Sequence, residues 1–426
     1  MEYPIWNLTT FGGGFFIALI ATVHVFVAQF AVGGGLFLVL TERYAYRRES
    51  PAVLDYVKRH SLFFLLLSMV FGALTGVAIW FTIALLSPQG TIVLIHNFVF
   101  AWASEWVFFL GEIVALLVYY YGWKRLSRRD HMIVGWLYFL FAWGSLFLIN
   151  GIVAFMLTPG QWITTGDFWD GFFNPTFWPQ LVFRTFLSFT IAGLFGFVTA
   201  TRIADDHERM RLVRLCSLWT ILPFVLMVAS GWWYITGLPE PQFTIAVERS
   251  HRVGLFLRDF VTLSPILVLG ALLLAVRLPR KVSFPLALVV LLLGLGVSGS
   301  FEFMREAARK PFVVYGDIWS NSVEPARLAE IDERGAIACS KWAPPGLKVE
   351  DTLAAGQFLF QLECASCHSI GGPMNDILPR TAKYPLTGMD SLLTGLGRIN
   401  RSMPPFAGTV EERMALATYI VEGLHG

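Results

Sequence analysis

Two cysteines and a histidine near the end of the chain have the spacing that covalent haem attachment requires. The stretch reads Cys-Ala-Ser-Cys-His from Cys364 to His368. The thiols of Cys364 and Cys367 can form thioethers with the haem vinyl groups, while the imidazole of His368 ligates the iron. A zinc site is the alternative, but it needs two further ligands, and none is suitably spaced nearby. The motif therefore predicts one covalently bound haem c.

The residues around this motif supply the rest of a small haem domain. Met403, about forty residues further on in a turn stiffened by two prolines, offers a thioether for the opposite axial position of the iron. Gly356 and Phe360 precede Cys364 by eight and four residues, so they share a helical face that could rest against the haem edge. From residue 351 to the end, the chain resembles a class I cytochrome c domain.

The remaining 350 or so residues have the composition of a membrane protein. The chain is 55% hydrophobic and 15% charged, which excludes an ordinary soluble enzyme. Its net charge of +2 comes without a massed basic patch, so membrane lipid is an expected partner and nucleic acid is not. The first apolar run is long enough to span a bilayer and no basic residue precedes it, so no cleaved secretory signal is expected.

Apolar runs long enough to cross a bilayer of about 30 Å predict eight membrane spans. They lie near residues 12–40, 62–87, 98–122, 132–157, 181–202, 213–236, 254–276 and 283–304. Basic residues concentrate in alternate loops, near residues 43–59, 124–129, 202–214 and 277–281, whereas the intervening loops hold only Arg249 and Arg252. The basic loops should face the cytoplasm, with both termini in the periplasm of a bacterial inner membrane. Haem c, which is attached and used on that outer side, agrees with this topology.

The predicted fold is therefore an all-α polytopic membrane bundle with a C-terminal periplasmic cytochrome c domain. We expect the bundle in residues 1–312, a periplasmic connector in residues 313–350 and the cytochrome c domain in residues 351–426. Outside the haem motif, Cys216 enters a membrane helix and is expected to be a small core residue. Cys339 is a single thiol in the connector, and its role does not follow from the sequence.

Ionisable residues within the spans are candidates for function, because burying a charge in hydrocarbon costs at least a few kcal/mol. His24 lies in the middle of the first span, either as a hydrogen-bonded core residue or as a haem ligand. Glu105 and Glu112 in the third span are seven residues apart and so share a helical face. Two carboxylates on one face suit proton relay or iron ligation, although ion pairs with neighbouring helices are the structural alternative.

The end of the eighth span carries alternating acids and bases at helical spacing. These residues are Glu302, Arg305, Glu306 and Arg309, and Pro311 then limits the helix. An interfacial charge cluster is one interpretation. The other is that a carboxylate ligates or faces a haem iron while an arginine neutralises haem propionates.

With these residues in view, the chain resembles subunit I of the cytochrome bd oxygen reductase family over roughly residues 10–320. Three stretches carry the resemblance: His24-Val-Phe-Val ahead of Gly33-Gly34-Gly35-Leu36, Glu105 and Glu112 ahead of Gly122-Trp123, and Glu306-Ala-Ala-Arg309-Lys-Pro311-Phe312. The last is similar to the family's Glu-x-Gly-Arg-Gln-Pro-Trp motif, its most specific signature.

The resemblance implies a role for each matching residue. His24 and Glu306 would be ligands of two high-spin haems of type b or d, Glu105 a carboxylate at or near the second iron, Glu112 a proton-channel carboxylate, and Arg309 a haem-propionate partner. Glu105 and Glu112 are one residue closer together than in the family, which makes the role of Glu105 the less direct match.

The chain departs from the family where quinol would act. Arg184 stands where the family carries a histidine ligand of its low-spin haem b, and a charged arginine cannot ligate iron. No methionine lies near Arg258 to provide the second ligand, and the loop from Gly237 to Arg252 is far too short for a quinol-binding loop. The low-spin haem b is therefore expected to be absent, with electrons entering through haem c from a cytochrome c-type donor.

The resulting prediction is a terminal oxidoreductase that reduces dioxygen to water at membrane-buried haems. Glu105, Glu112 and Arg309 would serve the chemistry, and a second membrane subunit resembling subunit I or II of the family would be the partner. Two alternatives are a reductase of nitric oxide or another small oxidant with the same architecture, and a non-catalytic electron-transfer or anchoring subunit of a larger respiratory complex.

Overall fold

The computed structural model describes residues 6–244, 247, 251–277 and 282–426. Arg249, Arg280 and Lys281, which enter the charge argument for topology, lie outside the described residues. Within the described ranges the chain is mostly helical, and the predicted all-α class is confirmed.

The helices up to residue 308 are, in chain order, α1 (Gly13–Arg47), α2 (Pro51–Leu65), α3 (Gly72–Leu86), α4 (Pro88–Asn97), α5 (Val99–Gly122), α6 (Arg128–Phe155), α7 (Trp162–Thr165), α8 (Phe168–Phe172), α9 (Phe177–Ala200), α10 (Asp206–Thr236), α11 (Glu240–Phe243), α12 (His251–Val276) and α13 (Phe284–Ala308). A π-helical turn, Leu66–Phe71, joins α2 to α3. In the described part of the chain, eight helical segments are long and apolar enough to span a membrane, as predicted: α1, the continuous α2–α3 segment, α5, α6, α9, α10, α12 and α13.

Capping residues fix where several of these helices begin. The side chain of Ser50 accepts a hydrogen bond from Val53 N, with proline at the first helical position of α2. Ser127 accepts from Asp130 N at the start of α6, and Asp205 from Glu208 N at the start of α10. These polar caps satisfy backbone amides that a helix leaves unpaired, so they define the loop ends of the apolar runs.

Helix α9 is the most buried of the spanning helices, because 72% of the residues in its most apolar 18-residue stretch are buried. Small residues let its neighbours approach closely. A Cβ at Gly33 of α1 would lie 1.9 Å from Ser188 O of α9, and one at Gly193 would lie 2.7 Å from Cys216 O of α10. Cys216 is fully buried at this crossing, as expected for a small core residue.

The chain forms two compact units. The first, here called the bundle unit, contains Thr22–Val77 and Phe98–Ala308, and the second, here called the tail unit, contains the described residues of 1–21 together with Ala78–Asn97 and Arg309–Gly426.

The tail unit combines a small hairpin with short helices. Strands β1 (Phe312–Val314) and β2 (Ile318–Trp319) pair antiparallel. The helices that follow are α14 (Leu328–Arg334), α15 (Ala336–Cys339), α16 (Thr352–Leu359), α17 (Ile377–Thr381), α18 (Leu386–Thr394) and α19 (Val410–Thr418).

Part of the expected connector belongs to the core of the tail unit. Ile331 and Ala336 are buried in the same apolar cluster as Leu359 and Leu416, and Cys339 packs against that cluster. Thr409 and Glu412 form a capping box at the start of α19, and the Glu412 carboxylate also accepts hydrogen bonds from the first amides of α15. The segment of residues 328–339 is thus attached to the haem-motif domain by packing and by hydrogen bonds.

Candidate haem sites

The haem-attachment motif lies at the end of a helix and turns back on itself. A π-helical turn, Phe360–Cys364, extends α16 to the first cysteine. The amides of Cys367 and His368 both donate to Cys364 O, at 3.0 and 2.9 Å. This tight turn presents two thiols and one imidazole from five consecutive residues, as covalent haem requires. Among the described residues no group of three or more His, Cys, Asp or Glu side chains is arranged so that it could hold a metal ion.

The ring orientation of His368 is set by a backbone carbonyl. Its Nδ1 lies 2.8 Å from Asn375 O, and because a carbonyl oxygen only accepts, Nδ1 carries the proton. Nε2 is then the nitrogen with the lone pair that an iron ligand needs. The side chain of Asn375 in turn donates to Cys367 O at 2.8 Å, so the loop after the motif holds the imidazole in place.

The segment that carries Met403 lies close to the motif. Met403 N donates to Asn400 O in a local turn, and Ala407 N donates to Glu363 Oε2 at 3.2 Å. Glu363 directly precedes Cys364. A hydrogen bond therefore joins the attachment motif to the segment that is predicted to supply the second axial ligand. Met403 is partly buried, and it follows the attachment motif by about forty residues in the chain.

Burial shifts the titration of two side chains at this site. The pKa of the Glu363 carboxyl is well above its ordinary value, first because the group is desolvated and further because Glu412 and Asp332 are nearby carboxylates. Burial also raises the pKa of the Cys364 thiol. Burial thus favours the neutral form of each group.

The prediction that Gly356 faces the haem edge is wrong. A Cβ at Gly356 would lie 2.2 Å from Ala415 O and 2.5 Å from Tyr419 Cβ, so the glycine marks the close crossing of α16 with α19. Phe360 is fully buried, with its ring centroid 5.9 Å from that of Tyr419. The shared helical face was correctly predicted, but it packs on the C-terminal helix.

His24 of α1 makes its polar contact with α3 in the bundle unit. Its Nδ1 lies 3.1 Å from Thr75 Oγ1. The Thr75 hydroxyl has one hydrogen, and it lies 3.0 Å from both Phe71 O and Gly72 O, to which it donates. Thr75 therefore accepts from His24 Nδ1–H, which leaves Nε2 unprotonated, as a haem ligand requires. The π-helical turn ends at Phe71, immediately before these contacts, and such turns are frequent at functional sites.

Glu105 and Glu112 share one face of α5, as predicted from their spacing. Glu112 is only 6% exposed, whereas Glu105 is partly buried. This face meets α6, because a Cβ at Gly111 would lie 2.9 Å from the ring of Phe141, and one at Gly144 would lie 2.3 Å from the ring of Phe108. The Glu112 carboxyl is thus enclosed between two spanning helices.

An open cleft of about 480 Å³ lies between α1, α12 and α13. Small residues of α13, including Gly296 and Gly299, keep it open, since a Cβ at Gly296 would lie 3.0 Å from Leu263 Cδ1. Glu306 follows Gly299 and Phe303 by seven and three residues, so it continues the helical face that lines the cleft. The cleft has the volume of a typical cofactor site.

Arg309 lies just beyond the end of α13 and belongs to the tail unit. It is 8% exposed, and its Nη1 donates to Val313 O at 2.6 Å and to Phe312 O at 3.4 Å. These bonds fix the guanidinium against β1.

Arg184 is paired with a carboxylate. Its Nη2 lies 2.9 Å from Glu302 Oε1, and Arg305 Nε lies 3.2 Å from Glu302 Oε2. The side chains of Arg184 and Glu302 are buried in the bundle unit, and that of Arg305 is 14% exposed. The tilted rings of Phe183 and Phe301, with centroids 4.0 Å apart, lie beside Arg184. The sequence drew attention to Arg184 and Glu302 separately, but it did not predict that they meet. A charge within an apolar span was the signal that a counter-charge should exist.

The fold and these sites define a multi-pass membrane oxidoreductase with an attached cytochrome c domain. Comparison with protein families agrees: residues 15–242 match the family described as cytochrome bd terminal oxidase subunit I, and residues 351–420 match cytochrome C oxidase, cbb3-type, subunit III. The first match covers more than half of the 426 residues, and the chain belongs to the cytochrome bd terminal oxidase subunit I family.

Among solved structures, the bd oxidase from Geobacillus thermodenitrificans is similar to this chain. The two superpose with a TM-score of 0.64 at 16% sequence identity, over 71% of this chain and 88% of that chain. At this identity the likeness supports the fold. No curated protein matches the sequence.

Proposed function

We propose that this chain is the dioxygen-reducing subunit of a membrane complex that takes its electrons from a cytochrome c-type donor. Electrons would enter through haem c on Cys364, Cys367 and His368, and dioxygen would be reduced to water at high-spin haems in the bundle unit. The observation that carries the proposal is that one chain joins a bd subunit I bundle to a cytochrome c domain.

The residues of the tail unit fit a covalent haem. The tight turn from Cys364 to His368 offers both thiols, and the hydrogen bond from His368 Nδ1 to Asn375 O selects Nε2 for the iron. Met403 would supply the second axial ligand from a segment tied to Glu363 through Ala407. The family match over residues 351–420 supports this assignment.

The bundle unit contains ligand candidates of the right chemistry for its haems. His24, with Nδ1 donating to Thr75, presents the neutral imidazole that ligates iron, and Glu306 continues the face of α13 that lines the open cleft. Glu105 would lie at or near the second iron, and Arg309 would pair with a propionate. When bound, the haems supply electron storage and the site at which dioxygen is reduced, while the chain sets ligands and excludes solvent.

Glu112 would deliver protons to this chemistry. It is buried between α5 and α6, on the same helical face as Glu105. A buried carboxyl one or two helical turns from a reaction site can hold a proton and release it where charge develops.

The use of haem c in place of quinol is supported by Arg184. It occupies the position at which the resemblance places a ligand of the low-spin haem b, and it is bound to Glu302. Iron ligation there would require breaking a buried ion pair and using a charged guanidinium, so we infer that this haem is absent. A second membrane subunit resembling subunit I or II, and an inner-membrane location with both termini periplasmic, complete the proposal.

The purified complex provides the test. Pyridine haemochrome analysis should find haem c together with b or d haem, and the reduced-plus-carbon-monoxide spectrum should show a ligand-binding haem. Dioxygen consumption should be rapid with reduced cytochrome c and slow with quinols. A haem c with no carbon-monoxide-reactive haem would instead indicate a non-catalytic electron-transfer subunit, nitric oxide turnover without dioxygen turnover would indicate the other reductase, and brisk quinol oxidation would contradict the donor assignment.

A further inference from the structure

A second buried ionisable cluster joins three helices of the bundle unit. Glu42 of α1 is completely buried, with Oε1 2.8 Å from His131 Nδ1 of α6 and Oε2 2.6 Å from the Tyr119 hydroxyl of α5. His131 Nε2 lies 2.9 Å from Tyr119 O. The family resemblance gives this cluster no role in the sites described above.

Its hydrogen bonds define one exchangeable proton. Tyr119 O only accepts, so His131 Nε2 carries a hydrogen, and the Tyr119 hydroxyl donates to Glu42. The remaining contact, between His131 Nδ1 and Glu42 Oε1, then holds a single proton that can reside on either atom. The pair is neutral overall with that proton and carries one negative charge without it.

The cluster lies at the end of the bundle where the basic loops begin. Tyr46 follows Glu42 by one helical turn and lies beside it, and the guanidinium of Arg128 is 5.0 Å from the centre of the Tyr46 ring. Tyr119 and His131 also contact Glu42, and Arg43 is its neighbour in the chain. This end is the one that the positive-inside rule assigns to the cytoplasm.

Polar residues spaced seven apart on α5 and on α6 lie between the cluster and Glu112. On α5, Tyr119 follows Glu112 by seven residues, so the two lie on one face about 10 Å apart along the helix axis. On α6, Tyr138 and Ser145 follow His131 at the same interval of seven. Tyr138 lies beside Ser68 of the π-helical turn, and Ser145 lies beside Glu112.

The hydroxyls along this route have unused hydrogen-bonding capacity. The Oγ atoms of Ser68 and Ser145 are buried beside the Tyr138 hydroxyl and the Glu112 carboxyl, and one such contact uses only part of the donor and acceptor capacity of a hydroxyl. Buried polar atoms of this kind are usually satisfied by ordered water. Water at these hydroxyls would connect the cluster to Glu112 by hydrogen bonds.

We propose that Glu42 and His131 form the proton-loading site of the complex, which supplies Glu112 by way of Tyr138, Ser68, Ser145 and intervening water. The inference rests on the proposed function. Reduction of one dioxygen to two waters takes four electrons from the donor and four protons. Each proton leaves the Glu42–His131 pair for Glu112, and the pair then regains a proton from water at the basic-loop end.

The test is Glu42→Gln in the intact complex, since glutamine keeps the shape and an acceptor oxygen but cannot exchange the proton. Haem content and the reduced-plus-carbon-monoxide spectrum should stay as in the wild type. Dioxygen consumption should fall at least tenfold and its solvent deuterium isotope effect should rise. Independently of turnover, the redox-difference infrared spectrum should lose a carboxyl band. Glu42→Asp, which retains an exchangeable proton, should recover part of the rate and a shifted band.

A matched control is Tyr56→Phe. The Tyr56 hydroxyl is also buried, and it bonds to Thr199 and Gly196 O in a cluster of α2 and α9 that lies off this route. Its loss should leave the isotope effect and the infrared band unchanged. Equal rates and isotope effects in wild type and Glu42→Gln, or equal losses in the Gln and Asp variants with intact haems, would overturn the proton-loading site. A wild-type complex that consumes no dioxygen would contradict the proposed function itself, which is a distinguishable result.

Discussion

Arg184 of α9 and Glu302 of α13 form an ion pair inside the bundle unit, with Nη2 and Oε1 2.9 Å apart and side chains only 6% and 9% exposed. Arg305 binds the other oxygen of the same carboxylate. Two positive charges thus share one negative charge. Breaking a buried pair by removing one partner leaves an uncompensated charge, which is usually more destabilising than removing both.

The first prediction concerns the stability of this cluster. Glu302→Leu removes the carboxylate that serves both arginines and should lower the stability of the complex by about 3–5 kcal/mol. Arg184→Leu should be milder, because Arg305 still neutralises Glu302, and Arg184→Leu with Glu302→Leu should be milder than Glu302→Leu alone. Thermal unfolding of the purified complex measures the order. Midpoints equal to that of the wild type in all three variants would show that the pair contributes nothing to stability.

The second prediction concerns the bundle haems. Glu306→Ala should remove the high-spin haem signal and leave haem c, because the ligand candidate is lost in one unit while the attachment motif belongs to the other. Optical and electron paramagnetic resonance spectra of the purified complex measure both signals. Glu240→Ala, which removes an exposed glutamate of the same unit, is the control and should change neither. An unchanged high-spin signal in Glu306→Ala would reject its role as a ligand.

The third prediction separates the cysteines of the tail unit. Cys364→Ala removes one of the two thioether positions and should abolish or strongly reduce covalent haem, detected by haem staining on a denaturing gel. Cys339→Ala, at the end of α15, should leave the stain unchanged, because that thiol only packs against the apolar core. Full staining of Cys364→Ala would contradict the attachment motif.

The sequence correctly predicted the features that depend only on local patterns of residues. Spanning helices follow from runs of apolar residues, and haem attachment follows from five consecutive residues, so neither depends on how distant segments meet. The same holds for the shared face of Glu105 and Glu112, since helical periodicity alone places them together.

Contacts between distant segments could not be predicted in this way. Helical periodicity predicted which face of the helix Gly356 lies on. It could not predict that this face packs against α19. Arg184 and Glu302 are more than a hundred residues apart, and their pairing depends on which sides of α9 and α13 meet. Glu42 stands next to Arg43 at the end of an apolar run, so it has the pattern of a surface charge, although three helices enclose it.

The fourth prediction concerns Glu363, whose buried carboxyl has a pKa well above its ordinary value. The folded state therefore holds a proton that the unfolded chain releases above about pH 4.3, so the tail unit should lose stability as pH rises from there through the folded pKa. Glu363→Gln keeps an acceptor for Ala407 N but cannot ionise, so its stability relative to the wild type should increase as the pH rises from about 4.3 towards 7. Thermal loss of the haem c spectrum in the intact complex, followed from pH 5 to pH 8, measures this difference.

The control is Glu411→Gln. Backbone hydrogen bonding lowers the pKa of the exposed Glu411 carboxyl, whereas burial raises that of Glu363, so Glu411→Gln should not stabilise the tail unit. Parallel pH profiles for Glu363→Gln and the wild type would show that Glu363 does not carry this proton.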